Sequence, residues 1–126
     1  MQTSFTSYFW DKTKKGMEVI WSNIATKHLE SILEYVENEF GENTAAKTLS
    51  KISDKVKRLS SYPTSGIKDA NYSTSLYTVR HVTIAPNIIY YLCYPDAIVI
   101  AVIVHSKQSP RTINSILRRF LDSYER

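Results

Sequence analysis

Residues 76–110 read LYTVRHVTIAPNIIYYLCYPDAIVIAVIVHSKQSP, and this pattern predicts three consecutive β-strands. β-branched and aromatic residues, which favour strands, dominate the segment. It is interrupted at residues 85–87 and 94–97, where Pro, Asn and Asp favour turns. Connections this short leave no room for a crossover helix, so the strands form an antiparallel meander. The last strand, residues 98–104, is apolar on both faces, which indicates a central position in the sheet.

The residues before the meander predict one strand and two amphipathic helices. Residues 18–21 form a short apolar strand, and Ser22 follows as a residue type that caps helix N-termini. Between residues 24 and 59, apolar residues recur every three or four positions, with a break at Gly41. Two helices joined by so short a loop form an antiparallel hairpin. Residues 60–75 are rich in Ser, Thr, Pro and Asn, and we interpret them as a loop.

A third amphipathic helix follows residue 110, and we expect it to pack on the domain, with a partner as the alternative. The predicted fold is α+β, in the order β-α-α-β-β-β with a C-terminal helix. The helical hairpin covers one face of a mainly antiparallel sheet, and the first strand lies beside the last. Residues 1–16 lack either period, so we predict an N-terminal extension ahead of one domain at residues 17–126. Alternatively, the aromatic residues of this extension dock on a partner or on the domain.

Composition narrows the class of protein. Hydrophobic residues make up 43% and charged residues 22%, as in soluble globular domains, and no run approaches the roughly 18 apolar residues of a membrane helix. The single cysteine, Cys93, fits a reducing cytoplasm and is interpreted as a buried apolar residue. The histidines are far apart, so neither a metal site nor a cofactor is predicted, and His28 is interpreted as inert. The net charge is +4, which suits an acidic partner or a nucleic acid.

Four segments, taken in order, resemble the RelE/ParE superfamily of bacterial toxins, in particular its ParE, or plasmid-stabilisation, branch. They are VIWSNIA at 19–25, RLSSYPTSG at 58–66, LYTVRHV at 76–82, and IIYYL with VIVHSKQSP at 88–92 and 102–110. The resemblance implies that the protein is a toxin, and that an antitoxin encoded beside it neutralises it. When the antitoxin is degraded, the toxin halts growth.

The resemblance allows two mechanisms. ParE-like relatives inhibit DNA gyrase, whereas RelE-like relatives are endonucleases that cut mRNA on the ribosome. An endonuclease would use Arg80 to clamp the phosphate, His105 as acid or base, and Tyr91. Ile88 and Gln108 stand where many relatives are basic, which thins this cationic cluster. We therefore favour gyrase inhibition over mRNA cleavage. The third alternative is a non-toxic relative that only binds an antitoxin or acts as a regulatory partner.

The resemblance also predicts a partner-binding surface. Its residues are basic groups that suit an acidic antitoxin segment, namely Arg80, His105, Lys107, Arg111 and Lys68. Such an antitoxin would lay a helix along the groove of the hairpin and an extended segment near the sheet edge.

Three of these candidates also have purely structural interpretations. Arg80 could pair with an acidic residue such as Asp96 or Asp69. Tyr91 could belong to the core. His105, at the end of a strand, could cap the turn that follows it. The sequence leaves these interpretations open.

Overall fold

A five-stranded sheet lies at the centre of the structure, a computed structural model that describes residues 16–126. The elements in chain order are β1 (Glu18–Trp21), α1 (Asn23–Phe40), α2 (Glu42–Ser61), β2 (Ile67–Lys68), a 3-10 turn (Ala70–Tyr72), β3 (Thr78–Ile84), β4 (Asn87–Cys93), β5 (Ala97–His105) and α3 (Pro110–Ser123). The predicted α+β order is confirmed. Residues 1–15 lie outside the described residues, and with them nearly all of the predicted N-terminal extension and its aromatic side chains.

The strand order in the sheet is β1-β5-β4-β3-β2. β1 pairs with β5 in parallel, and the other neighbouring strands are antiparallel. Residues 97–104 of β5 are all buried, because this strand has apolar side chains on both faces and a neighbour on each side. Both predictions are therefore confirmed: the meander, and the position of β1 beside β5.

The hairpin of α1 and α2 begins and bends where the sequence predicted. The Ser22 hydroxyl accepts a hydrogen bond from the Ala25 N–H at 2.9 Å, which caps α1. Gly41 joins the two helices with a φ of 94°, a conformation that glycine adopts without steric cost. A joint of one residue forces α1 and α2 to run antiparallel.

Helices cover both faces of the sheet, and each face has its own apolar core. Side chains of the hairpin pack with alternate residues of β1, β4 and β5, including Ile98 and Ile100. On the opposite face, Leu117 and Phe120 of α3 pack against the other side chains of β5. The prediction that the third helix packs on the domain is confirmed. Cys93, predicted to be buried, is half-buried at the end of β4 and contacts the hairpin-side core.

The interpretation of residues 60–75 as a plain loop is wrong in part, since β2 lies within it. β2 is an edge strand of two residues, with Ile67 opposite His81 and Lys68 opposite Arg80. This strand could not be predicted from the sequence, because two residues are too few to show the alternation of a β-strand. Its pairing with β3 places Lys68 beside Arg80.

Candidate functional site

Arg80 lies in β3, between Lys68 of β2 and Tyr91 of β4, and we call these three residues the Arg80 row. The Arg80 Nη1 donates hydrogen bonds to the carbonyl oxygens of Gly66, at 2.8 Å, and Thr64, at 3.2 Å. The guanidinium group is half-buried and holds the loop before β2 against the sheet. Its Nε is buried, and within residues 16–126 it has no hydrogen-bond partner.

The structural alternative for Arg80, a pairing with an acidic residue such as Asp96 or Asp69, is wrong, because both carboxylates bind other groups. The Asp96 carboxylate lies 2.7 Å from the Arg126 guanidinium. The Asp69 carboxylate lies 2.8 Å from Nδ1 of His81, on the β2–β3 side of the sheet. Arg80 therefore donates to neutral backbone carbonyls and forms no ion pair within residues 16–126.

Tyr91, the second member of the row that was predicted to act in RNA cleavage, is completely buried in the hairpin-side core. Its hydroxyl donates to the Pro63 carbonyl at 2.7 Å and accepts from the Gly66 N–H at 3.0 Å. Burial raises the pKa of the hydroxyl, while the hydrogen bond from Gly66 and the nearby Arg80 charge oppose that shift in part. Tyr91 thus anchors the loop before β2, and its interpretation as a core residue is confirmed.

Gly66 fits beneath this tyrosine because it has no side chain. A Cβ at this position would lie 2.6 Å from the Tyr91 hydroxyl oxygen and 2.9 Å from the His81 carbonyl oxygen. Both distances are shorter than van der Waals contact, so a larger residue would displace the loop. The Arg80 row and the loop therefore form one tightly packed unit.

His105 lies at the other end of the sheet, as the last and exposed residue of β5. The His105 Nδ1 accepts a hydrogen bond from the backbone N–H of Lys107 at 3.0 Å, and the backbone N–H of His105 donates to Gln108 Oε1 at 2.8 Å. These contacts confirm that His105 caps the turn before α3. In sheet register, His105 aligns with Asn87 and Ile84, four residues beyond Arg80 in β3.

The structure therefore separates the residues proposed for RNA cleavage. Four residues along a strand span about 13 Å, and two strands across add roughly 10 Å. Arg80 and His105 are thus about 16 Å apart by backbone geometry. Tyr91 lies in the Arg80 row, but both sides of its hydroxyl are already hydrogen-bonded. The charged groups at the two ends of the sheet belong to separate surfaces.

An apolar groove of about 620 Å³ lies between the hairpin and the β3–β4 turn. We call it the hairpin groove. Its floor is formed by apolar side chains of both helices and β3, including Ile32, Ile52 and Ile84, and His105 lies at its end. At its rim, Tyr35 is 61% exposed and Phe40 is 63% exposed. Large exposed apolar side chains beside a groove are typical of a protein-binding site.

Phe40 shows where helical periodicity was an incomplete guide. The residue continues the apolar stripe of α1, but it lies at the tip of the hairpin, where its side chain is exposed and contacts Tyr35 edge to face with ring centroids 6.4 Å apart. Residues of one apolar stripe therefore lie both in the core and at the rim of the groove. Whether such a residue is buried or exposed depends on how far the hairpin extends beyond the sheet.

The remaining predicted partner-binding residues lie on different surfaces. Lys68 is exposed on the edge strand β2, next to Ile67, which is 66% exposed. Lys107 is exposed in the turn after β5. Arg111 lies in the first turn of α3 and lines a separate cleft between α1 and α3.

His28, which sequence analysis interpreted as inert, supports the sheet. Its Nδ1 accepts a hydrogen bond from the Ile103 N–H of β5 at 3.1 Å. β1 pairs with β5 only as far as Ile100, so His28 replaces a strand partner at this point. Burial lowers the pKa of the imidazole below its ordinary value of 6.5. A contact across 75 residues leaves no signal in the local sequence.

Neither a metal centre nor a membrane-spanning helix is found in the described part of the chain. Within residues 16–126, no group of three or more His, Cys, Asp or Glu side chains is placed to hold a metal ion. Among the helices described, none combines the length and the apolar character needed to cross a membrane.

Known proteins of similar sequence or fold belong to toxin–antitoxin systems. The family model of the ParE toxin of type II toxin–antitoxin systems, parDE, matches residues 19–110. Among solved structures, a chain of the chromosomal ParDE toxin–antitoxin system from P. aeruginosa is similar, with a TM-score of 0.59 and 22% sequence identity. The match covers 72% of this chain and 97% of that chain. At this identity the likeness concerns the fold alone. No curated protein sequence matches the chain.

Proposed function

The chain belongs to the ParE toxin family of type II toxin–antitoxin systems, and from this premise we propose that it acts in the cytoplasm by binding and inhibiting DNA gyrase. Membership implies a cognate antitoxin as its partner. Under this proposal the toxin is a protein-binding inhibitor without a hydrolytic centre.

The observation that carries the proposal is the separation of His105 from the Arg80 row. Cleavage of RNA through its 2′-hydroxyl needs a base, an acid and cations around a single phosphate. Here the candidate acid or base and the candidate phosphate clamp lie about 16 Å apart by strand geometry. The buried tyrosine between them has no free hydroxyl to transfer a proton. This arrangement supports binding rather than cleavage.

We further propose that the antitoxin occupies the hairpin groove and the β2 edge. An amphipathic helix would place its apolar residues in the groove against Tyr35 and Phe40, and an extended segment would pair with the outer edge of β2. Lys68 at that edge, and His105 with Lys107 near the groove, would contact acidic groups of the antitoxin. Arg80 contributes by holding the loop before β2 in place.

The test of gyrase inhibition uses the purified chain in two parallel assays. Added to gyrase and relaxed plasmid, it should block supercoiling. Added to ribosomes translating an mRNA, it should leave the message intact. Arg80→Ala and His105→Ala should each reduce the inhibition of gyrase only partially, because neither residue performs a chemical step.

Other results would support the alternatives. Cleavage of the translated mRNA that either alanine variant abolishes would establish the endonuclease and refute the proposal. A chain that neither arrests growth when its expression is induced nor acts in either assay, yet binds its antitoxin, would be the non-toxic relative.

A further inference from the structure

A second cleft, of about 430 Å³, lies between α1 and α3 and shares no lining residue with the hairpin groove. It forms because β1 ends early: beyond Ile100, the edge of β5 is covered by α1 instead of by a strand. The Ser22 hydroxyl donates to the Ala101 carbonyl, and His28 accepts from the Ile103 N–H. The backbone at this edge is therefore satisfied, and the cleft beside it is open. We call it the α1–α3 cleft.

Two arginines line the α1–α3 cleft, and they differ from the other four arginines of the chain. Those four hydrogen-bond to backbone or carboxylate oxygens or stack on tyrosine rings, and they are Arg58, Arg80, Arg118 and Arg126. By contrast, in the described part of the chain the guanidinium groups of Arg111 and Arg119 have neither a hydrogen bond nor an ion pair, and both side chains are exposed. Two unpaired guanidinium groups thus face one cleft.

The other polar groups of the cleft are donors as well. Thr112 and Ser115 contribute hydroxyl groups between the two arginines. Because Nδ1 of His28 accepts a hydrogen bond, the neutral ring carries its proton on Nε2, which can donate. The residues that line the cleft include no Asp or Glu. Both α1 and α3 begin beside it, and neither has an acidic residue in its first turn.

We propose that the α1–α3 cleft binds the phosphodiester backbone of a nucleic-acid strand. Arg111, Ser115 and Arg119 follow one another at intervals of four residues, so they lie along one line of α3 that is about 12 Å long. A ligand with several regularly spaced anions matches this line better than a single anion does. The guanidinium fork binds phosphate oxygens in pairs, and Ser and Thr hydroxyls are common partners of nucleic-acid backbones.

This site would add a second binding function to the one proposed for the groove and the sheet edge. Contacts of this kind read the backbone and not the bases, so binding should depend on salt and hardly on sequence. Binding at this site depends on the two arginines and the cleft, and it is independent of whether gyrase is the target of the toxin.

The test is fluorescence anisotropy with labelled DNA of about 16 nucleotides, single-stranded and duplex, titrated with the full chain. The series covers salt concentrations between about 50 and 200 mM. Arg111→Gln/Arg119→Gln should weaken binding about tenfold or more and lower the salt slope by about 1.4 for the single strand or 1.8 for the duplex. Lys47→Gln/Lys57→Gln is the matched control, since it removes two exposed charges from α2.

The control and a second variant decide between explanations. Equal losses in the arginine and lysine variants would mean that net charge alone attracts DNA, and would overturn the proposal. So would a wild-type chain that binds poly-glutamate through these arginines but not DNA, because the cleft would then fit an acidic protein. Arg111→Lys/Arg119→Lys keeps the charge and the helix, and it should bind with an affinity between those of the wild type and the glutamine variant.

Discussion

Replacing Tyr91 with Phe removes one oxygen atom and, with it, both hydrogen bonds that hold the loop before β2. The Gly66 N–H is buried and would lose its acceptor, at a cost of about 2 kcal/mol. The Pro63 carbonyl is only part-buried, so water can replace part of the lost bond and the cost is about 1 kcal/mol. The variant should therefore lose about 3 kcal/mol of unfolding free energy. For a domain of this length, that corresponds to a melting temperature lower by about 12 °C.

The assay is urea denaturation followed by circular dichroism, with Tyr90→Phe as the matched control. Tyr90 is the next residue of β4, but it points to the opposite face, where its ring contacts His81 and its hydroxyl has no hydrogen bond to residues 16–126. The control should change stability by less than about 0.5 kcal/mol, and neither variant should alter the denaturant slope. If Tyr91→Phe were as stable as Tyr90→Phe, the loop would not depend on the tyrosine hydroxyl, and our account of the Arg80 row would be wrong.

Three further variants test the glycine contact, the buried histidine and the groove. Gly66→Ala should lower stability by about 2 kcal/mol or more in the same assay, since its Cβ would lie 2.6 Å from a buried hydroxyl. Because burial lowers the pKa of His28, its stabilising contribution should be complete above pH 6.5 and decline as the pH falls through the folded-state pKa. His28→Leu should remove this acid-dependent loss from the urea midpoints, and an unchanged pH profile would contradict the assignment. Tyr35→Ser/Phe40→Ser should weaken antitoxin binding at least about tenfold by calorimetry, whereas the exposed Tyr62→Ser should not; equal affinities would exclude the groove.

The order of helices and strands could be predicted because its causes are local. The three-to-four periodicity of α1 and α2 shows which side of each helix is buried, and the continuous apolar run of β5 shows that both of its faces are buried. Turn and cap residues such as Ser22 and Gly41 act on their immediate neighbours. The family resemblance depended on the same continuous segments, which agree with the match over residues 19–110.

The candidate site could be predicted only in part, because its contacts join residues that are distant in the chain. For Arg80 the sequence left open a functional role and a pairing with a carboxylate, yet the side chain binds the carbonyls of a loop 14 and 16 residues away. His28 was interpreted as inert, although it completes the edge of β5. Neither partner could be identified from composition or spacing, since hydrogen bonds of this kind depend on how the loop and the helix pack against the sheet.

The sequence by itself determined the α+β order, the apolar strand with a neighbour on each side and the two paired helices, since each follows from the pattern of apolar residues within one or two elements. Only the tertiary structure decided that His105 and the Arg80 row lie at opposite ends of the sheet and that Arg111 and Arg119 face a cleft of their own. The reason is geometric: strand register and helix placement set the distances between side chains, and those distances depend on the whole fold.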